Sequence, residues 1–563
     1  MPRTNESKVQ KETYLQAGQY LLEQFSIPAL RSHATVAVVD RNRIQFYHAT
    51  HSVILVSSAI AFSTFDGEDG LDKFIAILIA FNRLSLEDNG ILHSLPTGPH
   101  FHDNDEVMMR EVDTQDTKAV RIQEGSKLEF LKKDGTHEFT LTLGELISRE
   151  PSLAGRSTVV LHARTEKWEG SELVVKFSWP GSGRVAENEF LVKATRMAKS
   201  KHRWALKHLP QILYPQDVAF ERDSVHESVE KIFGDEQAKI DGYFHYEQRV
   251  LRIIIQERLY PLKTLKDVRE IAQVLVDIIC SGYFDLILSR WALTPVRLVH
   301  WWLYDKVGIL HRDLSLNNIM YRRILGKVYG VLVDYDLASW KESLAKDYKK
   351  TSEQRTGTPP FMAQGLLDGT DPLHLYRHDL EALFYVMLIL ATRYEINRGI
   401  RQRVPPKDGK LGFEDWFNTA NYRSLGAAKW RFLTKMETFN VSPSFKGFHN
   451  WLERFRASFS FGFQASYQYG LQQGMASLLP TGAPGQAEEK ATFDYETLGG
   501  YVTYSAFIES TRALTGELEG LIIRDSPSAR AAKVRVEAAV ARNTRSQTAR
   551  RARRRAESGK RKN

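Results

Sequence analysis

The sequence predicts an α+β protein in which a strand-rich part precedes a larger helical part. Three observations carry that prediction. At 563 residues the chain is longer than one hydrophobic core sustains, so several folded units are expected. Short apolar runs broken by polar residues dominate up to Lys176, which suits half-buried strands. From Glu187 onward the apolar residues recur at helical spacing over longer segments.

Taken in chain order, Thr35 to Phe62 holds TVAVVD, RIQFYH and SVILVSSAIAF and reads as strands. Leu71 to Leu86 reads as a well-buried helix. HSLPTGPHFHDNDE, His93 to Glu106, is rich in turn-forming residues and reads as a linker or surface loop. A strand-rich stretch follows to Lys176, with a hairpin expected around Asp134-Gly135. Helices are expected over Glu187–Lys201 and from Leu262 to about Cys280, with a buried strand at Ile253–Gln256 between them. A short hairpin should run from Asn318 to Asp334, with helices again after Arg377. Leu478 to Phe493 reads as a second loop. No internal repeat is visible.

With 42% hydrophobic and 26% charged residues, the chain falls among globular rather than disordered sequences. The net charge of +9 is concentrated at one end. Ser526 to Asn563 carries 13 Lys/Arg against two Glu, a local charge of +11, so the remainder sums to −2. A nearly neutral body with a basic tail argues against a dedicated nucleic-acid-binding domain. The tail is expected to be disordered. One cysteine, Cys280, excludes an intrachain disulfide and a cysteine zinc cluster, and fits a reducing, intracellular compartment. No signal peptide is expected in MPRTNESKVQKETY, and the longest apolar runs are too short for a bilayer. No membrane association is expected.

The chemistry is concentrated in GILHRDLSLNNIMYRR, from Gly308. Phosphoryl transfer needs carboxylates and amides for a cation, a fixed positive charge for phosphates, and an acceptor for the hydroxyl proton. In HRDLSLNN, Asp313 can take or orient that proton, and Asn318, five residues on, can bind magnesium. The apolar strand of GVLVDYD then delivers Asp334 as a second magnesium ligand across the hairpin. Each residue alone is more often structural, but the ordered set is a specific signal.

The chain resembles the fungal-type protein kinase family, a divergent branch of the eukaryotic protein kinase-like superfamily. The resemblance rests on HRDLSLNNIM, on LVDYDLA from Leu332, on TGTPPFMA from Thr356 and on RHDLEALFYV from Arg377. Upstream it rests on the run from His33 to Phe62 and on VVKFSWP from Val174. It implies a bilobal protein kinase-like fold with a strand-rich small lobe (106–260) and a helical large lobe with a C-terminal extension (261–525). An N-terminal α/β extension (1–105) and a basic disordered tail (526–563) complete the expected organisation.

The resemblance implies a Ser/Thr-type protein kinase that uses ATP and Mg2+. Lys176 would hold the ATP phosphates, paired with Glu187, for which Glu189 is the fallback. Gly155 would lie in the phosphate loop, and Glu257 to Leu259 would connect the lobes and bind adenine through backbone groups. Ser315, two residues after Asp313, is usual in that family. Thr358 would bridge to Asp313 from a peptide-holding loop. Arg312, beside Asp313, could pair a phosphate on the long segment carrying Thr351, Ser352 and Thr356, although for any one of those hydroxyls an unmodified polar loop is the stronger expectation. Asp379 would support the catalytic loop, or else cap its own helix.

Four departures stand against the family pattern. The phosphate loop has one glycine, Gly155. Asp336 occupies the place of a glycine after the metal-binding Asp. Ala363-Gln364-Gly365 lacks the acid that braces the segment. Cys280 to His300 is longer than the helix before the catalytic loop requires, which an insertion or a gene-model artefact would both explain. Ser315 and Asp336 also occur in kinases of small metabolites, so a metabolite kinase and an inactive scaffold stay open beside the protein kinase. Expected partners are protein substrates, with import-receptor or nonspecific nucleic-acid contact through the tail in the nucleus or cytoplasm.

Overall fold

The computed structural model describes residues 8–27, 30–40, 43–61, 70–85, 88–92, 108–111, 122–132, 136–218, 228–229, 247–279, 299–343, 357–371, 373–405, 412–418, 421–435, 437–477, 492–511 and 513–518. Several expectations fall outside them: the turn at Asp134-Gly135, the long stretch 280–298, Thr351, Ser352, Thr356, most of the two loops from His93 and Leu478, and the basic tail. Residues 1–188 and 211–258 form one compact unit, and 189–210 with 259–563 form a second. No described helix is long and apolar enough to cross a membrane.

The first unit opens with α1 (Lys8–Phe25), whose Ala17, Leu21 and Phe25 recur every four residues and so share one face. That face packs on Ala34, Tyr47 and Ala49 of β1 (His33–Asp40) and β2 (Arg43–Thr50), which pair antiparallel. β3 (Ile54–Val56) and β4 (Ile60–Ala61) both pair with β2. α2 (Gly70–Arg83) forms where a helix is expected, but it is not well buried. Ile75, Leu78 and Ile79 are 45%, 49% and 49% exposed. FIAILIAF is apolar on every face, and a single helix lying on a short strand covers only one of them. Phe81 stacks on Phe46 at 5.3 Å on that covered side.

A second, fully antiparallel sheet comprises β5 (Met108–Glu111), β6 (Lys127–Leu131), β7 (His137–Glu150), β8 (Thr158–Arg164), β9 (Leu173–Ser178), β10 (Ile212–Val218) and β11 (Leu251–Glu257). Its order is β10-β11-β9-β8-β7-β6-β5. Alternate residues (Leu128 and Phe130, Phe139 and Leu141, Val159 and Leu161, Val175 and Phe177, Ile253 and Ile255) bury one face into a common core. α3 (Glu187–Lys201) matches its expected limits. Its first two residues belong to the first unit and the rest to the second.

In the second unit, β12 (Tyr260–Pro261) precedes α4 (Val268–Ile279), α5 (Val299–Trp302) and β13 (Ile309–Leu310). β14 (Ile319–Ile324) and β15 (Lys327–Leu332) form the expected hairpin. Its two turn residues, Leu325 and Gly326, both take positive φ, as a two-residue hairpin turn requires. Gly330 on β15 lies so close to α4 that a Cβ there would meet the Val274 carbonyl oxygen at 2.5 Å. β16 (Ser339–Trp340) pairs with β13. α6 (Gln364–Asp368) leads to α7 (Tyr376–Arg393), a helix buried at every position, followed by the β17–β18 hairpin (Tyr394–Ile396, Ile400–Gln402). α8 (Asp415–Asn418), α9 (Tyr422–Thr434) and α10 (His449–Ser477) set Trp416, Phe432 and Phe459 against Tyr385 and Phe384 of α7, and α11 (Tyr504–Thr511) stacks Phe507 on Phe455 of α10.

Candidate active site

In the first unit, β9 is wedged between β8 and β11, and all six of its residues are buried. Val175 and Phe177 point into the core, so the alternation sends Lys176 to the opposite face. There its Nζ donates to Glu187 Oε2 at 3.0 Å, with the two side chains 11% and 4% exposed. Glu187, not Glu189, is therefore the acid on Lys176. A buried ammonium is costly unless it is paired or fully hydrogen-bonded, and here the carboxylate pairs it.

The turn from β7 to β8 explains how one glycine suffices there. A Cβ at Gly155 would fall 1.8 Å from Ser152 Oγ and 2.8 Å from Ser152 Cβ, so a larger residue there would have to move the Ser152 side chain. Ala154 (φ 46°) and Ser157 (φ 40°) take left-handed conformations themselves, where glycines are the usual choice. At the end of β11 the Glu257 amide donates to the Gln211 carbonyl at 3.1 Å. That withdraws one of the backbone donors expected to meet adenine. Arg258 closes the first unit, and Leu259, the next residue, is buried with Val331 and Val333 in the second.

In the second unit the loop after β13 is held from below by Asp379 of α7. Its carboxylate accepts the backbone N–H groups of His311 (3.1 Å) and Arg312 (3.2 Å) and the ring nitrogens of His300 (3.1 Å) and His374 (2.9 Å). Burial alone would raise its pKa, but the hydrogen bonds from His300 and His374 outweigh burial and hold it well below the usual range. The bracing role expected of Asp379 is thus the observed one, and its contacts are not those of a helix cap.

Burial pushes the His311 imidazole down to about 4. The ring is therefore neutral near pH 7. Its Nε2 faces the Val333 carbonyl at 3.0 Å, an acceptor, so Nε2 carries the proton and Nδ1 faces the Asp313 amide at 3.4 Å. Arg312 sits at φ 70° and Asp334 at φ 65°, a rare conformation for residues with side chains. Both fall within the sequence motifs, where such strain tends to collect.

Asp313 is 5% exposed, and its Oδ1 accepts two hydrogen bonds from one residue. Thr358 donates both its backbone N–H and its Oγ1 at 3.1 Å. Asn318 Nδ2 donates to the Asp313 carbonyl at 2.8 Å, so its Oδ1 is the amide atom available to a cation. The Val333 amide bonds the Asn318 carbonyl at 3.0 Å, which brings Asp334 beside Asn318 across the hairpin. Carboxylate oxygens of Asp334 and Asp336 lie within 4.8 Å of each other. Ser315 is buried, and its carbonyl accepts the Asn318 amide. Arg312 Nη1 donates to Ser339 Oγ at 2.6 Å, while the segment expected to carry its phosphate lies outside the described residues.

The segment after Thr358 lacks the bracing acid in its own motif, as expected, and takes a carboxylate from further along the chain. Gly365 stands where the bracing acid is expected, and a Cβ there would meet Asp371 Oδ2 at 1.7 Å. The Asp371 carboxylate fills that place instead, held by Arg377 (2.8 Å) and His378 (3.0 Å). A buried Glu381 accepts the Gln364 amide at 2.7 Å. Lys429 of α9, fully buried, donates to the carbonyls of Pro359 (3.2 Å), Pro360 (2.9 Å) and Met362 (2.6 Å). Sequence reasoning passed over Lys429, Asp371, His300 and His374. The one signal for Lys429 was a lysine on an otherwise apolar stripe, with Leu425, Phe432 and Leu433 as the other large buried members.

Among known families, residues 1–391 match the one described as fungal protein kinase. The match spans Lys176, Glu187, the Asp313 loop and Asp379, and ends inside α7. No curated protein matches the chain.

Proposed function

The chain belongs to the fungal protein kinase family, matched over 391 of its 563 residues, and from that premise we propose a Ser/Thr-specific kinase that uses ATP and Mg2+. The observation that carries the Ser/Thr reading is Thr358, which holds Asp313 Oδ1 through both its N–H and its hydroxyl. A carboxylate fixed in this way is oriented for the proton of an aliphatic hydroxyl. The loop bearing Thr358 is the natural support for a peptide around that hydroxyl.

The cofactors fit the donors present. Asn318, Asp334 and Asp336 offer only hard oxygen ligands, the set magnesium prefers over softer metals. ATP with Mg2+ supplies the phosphoryl group and neutralises its charge. Lys176, held extended by Glu187, presents an ammonium for phosphate oxygens. Asp313 receives the acceptor proton, with Asn318 tied to its carbonyl and Thr358 to its carboxylate. His311 stays neutral beneath the loop and transmits the support of Asp379 without adding charge.

The test is transfer of label from ATP, with and without magnesium, to a mixed protein substrate, followed by identification of the phosphorylated residues. Magnesium-dependent phosphoserine and phosphothreonine are expected. Label on tyrosine alone would overturn the Ser/Thr assignment. Label appearing only on added metabolites would move the reading to a small-molecule kinase, and nucleotide neither bound nor consumed would make it a scaffold.

A further inference from the structure

Lys429 is a buried charge that the reaction as described does not use. Its three hydrogen-bond partners are all carbonyl oxygens, and only a protonated –NH3+ has three N–H groups to meet them. Burial pulls the Lys429 pKa well below the ordinary lysine value and the Glu381 charge opposes that, while the three carbonyls and the Tyr385 and Trp416 rings, 4.2 and 5.1 Å away at their centroids, favour the cation. So costly a placement needs a reason in the segment it binds.

That segment, Thr358 to Gln364, is held internally only by a short turn in which the Phe361 (2.9 Å) and Met362 (3.1 Å) amides donate to the Thr358 carbonyl. Pro359 and Pro360 have no N–H, so backbone pairing there is limited to the carbonyls. Each end is anchored elsewhere. Thr358 grips Asp313, and the Gln364 amide is held by Glu381, whose Oε1 also accepts the Tyr385 hydroxyl at 2.7 Å. Lys429 secures the middle, above the same Tyr385 ring. The three anchors fix the height of Thr358 against Asp313.

We propose that Lys429 is a positioning residue for phosphoryl transfer: by gathering the Pro359, Pro360 and Met362 carbonyls it fixes the loop through which Thr358 orients Asp313. This rests on the reading of Asp313 as the proton acceptor and goes beyond it. It places part of the machinery on α9, downstream of the family-matched span. A lysine that merely fills space would be replaceable by methionine of similar shape.

The experiment uses the full chain with Lys429→Met, Thr358→Val, the double variant and Asp313→Ala. Rates of transfer from ATP to protein are measured together with hydrogen exchange over residues 357–365. Lys429→Met is expected to lower kcat about 100-fold, the scale of a small misplacement of a catalytic group. The KM for ATP should stay within about twofold. Because both residues act through one contact, the double variant should fall no more than about twofold below the worse single variant.

In Lys429→Met the Phe361 and Met362 amides, which bond the Thr358 carbonyl, should exchange faster while α7 keeps its protection. Unchanged kcat, multiplied effects in the double variant, or unchanged exchange would each overturn the role. If Lys429→Met does not fold, Lys429→Gln retains two donors and should lose about tenfold; full activity there would overturn it equally. A wild type no more active than Asp313→Ala would sink the reading of Asp313 and this role with it. An active wild type beside an equally active Lys429→Met would sink this role alone.

Discussion

Lys176 and Glu187 form a pair whose stability cost and functional use separate cleanly. Both side chains are nearly out of solvent, so removing the carboxylate strands a positive charge in a low-dielectric place. Glu187→Ala is expected to lower unfolding free energy by about 3–5 kcal/mol. Lys176→Met with Glu187→Leu, which removes both charges, should be close to neutral in stability yet deficient in phosphate binding. Urea unfolding of the single and double variants checks this. A single variant as stable as wild type would contradict the pairing. The apolar strand around Lys176 asked for a partner, but Glu187 was named only through the family resemblance, since a glutamate at a helix start is common.

At the scale of elements, the segment α6–α7 shows how an absent family residue is replaced. Gly365 leaves room for the Asp371 carboxylate, which Arg377 and His378 hold in place. Gly365→Ala should therefore destabilise by roughly 1–3 kcal/mol, the usual cost of overpacking. Combining it with Asp371→Ala should cost less than the sum of the two changes, since the clash disappears with the carboxylate. Thermal or urea unfolding of the four chains reads the coupling, and strict additivity would contradict the contact. β9, α3 and the β14–β15 hairpin were legible as elements because period and turn chemistry agree in each. α2 was legible as a helix but not in its exposure. An apolar run announces affinity for a core without saying whether a neighbour covers it.

Over the whole molecule, buried histidines make stability depend on pH. Burial pushes His378 down to about 3, with Arg377 reinforcing burial and the Asp371 contact opposing it. His374 is lowered in the same direction by burial, against the raising effect of Asp379. A histidine whose folded pKa lies below its unfolded value resists protonation only while folded. Between pH 6.5 and about 3 the unfolded chain thus binds the proton that His378 refuses, and stability falls as pH falls. Asp371 and Asp379, held below the carboxylate range, lose their contribution only at still lower pH, below about 4. From pH 7 to pH 5 the loss through His378 is expected to be on the order of 2 kcal/mol. A urea midpoint unchanged between those values would contradict it.

The same scale explains what the sequence withheld. Asp313, Asn318 and Asp334 sit in one ordered motif that could be read by spacing, and Thr358 in a segment that could be read by family resemblance. Lys429, Asp371, His300 and His374 act through contacts made only once distant segments pack. A lone lysine, aspartate or histidine in the chain gives no sign of which carbonyl or carboxylate it will meet.

The most direct measurement compares wild type with Asp313→Ala for magnesium-dependent transfer of labelled phosphate from ATP to protein, both first shown to be folded. Phosphoserine or phosphothreonine is expected from the wild type, with a loss of at least about 1,000-fold in the variant, the upper part of the range for a positioned acid–base group. Equal transfer by the two proteins would contradict the central place given to Asp313.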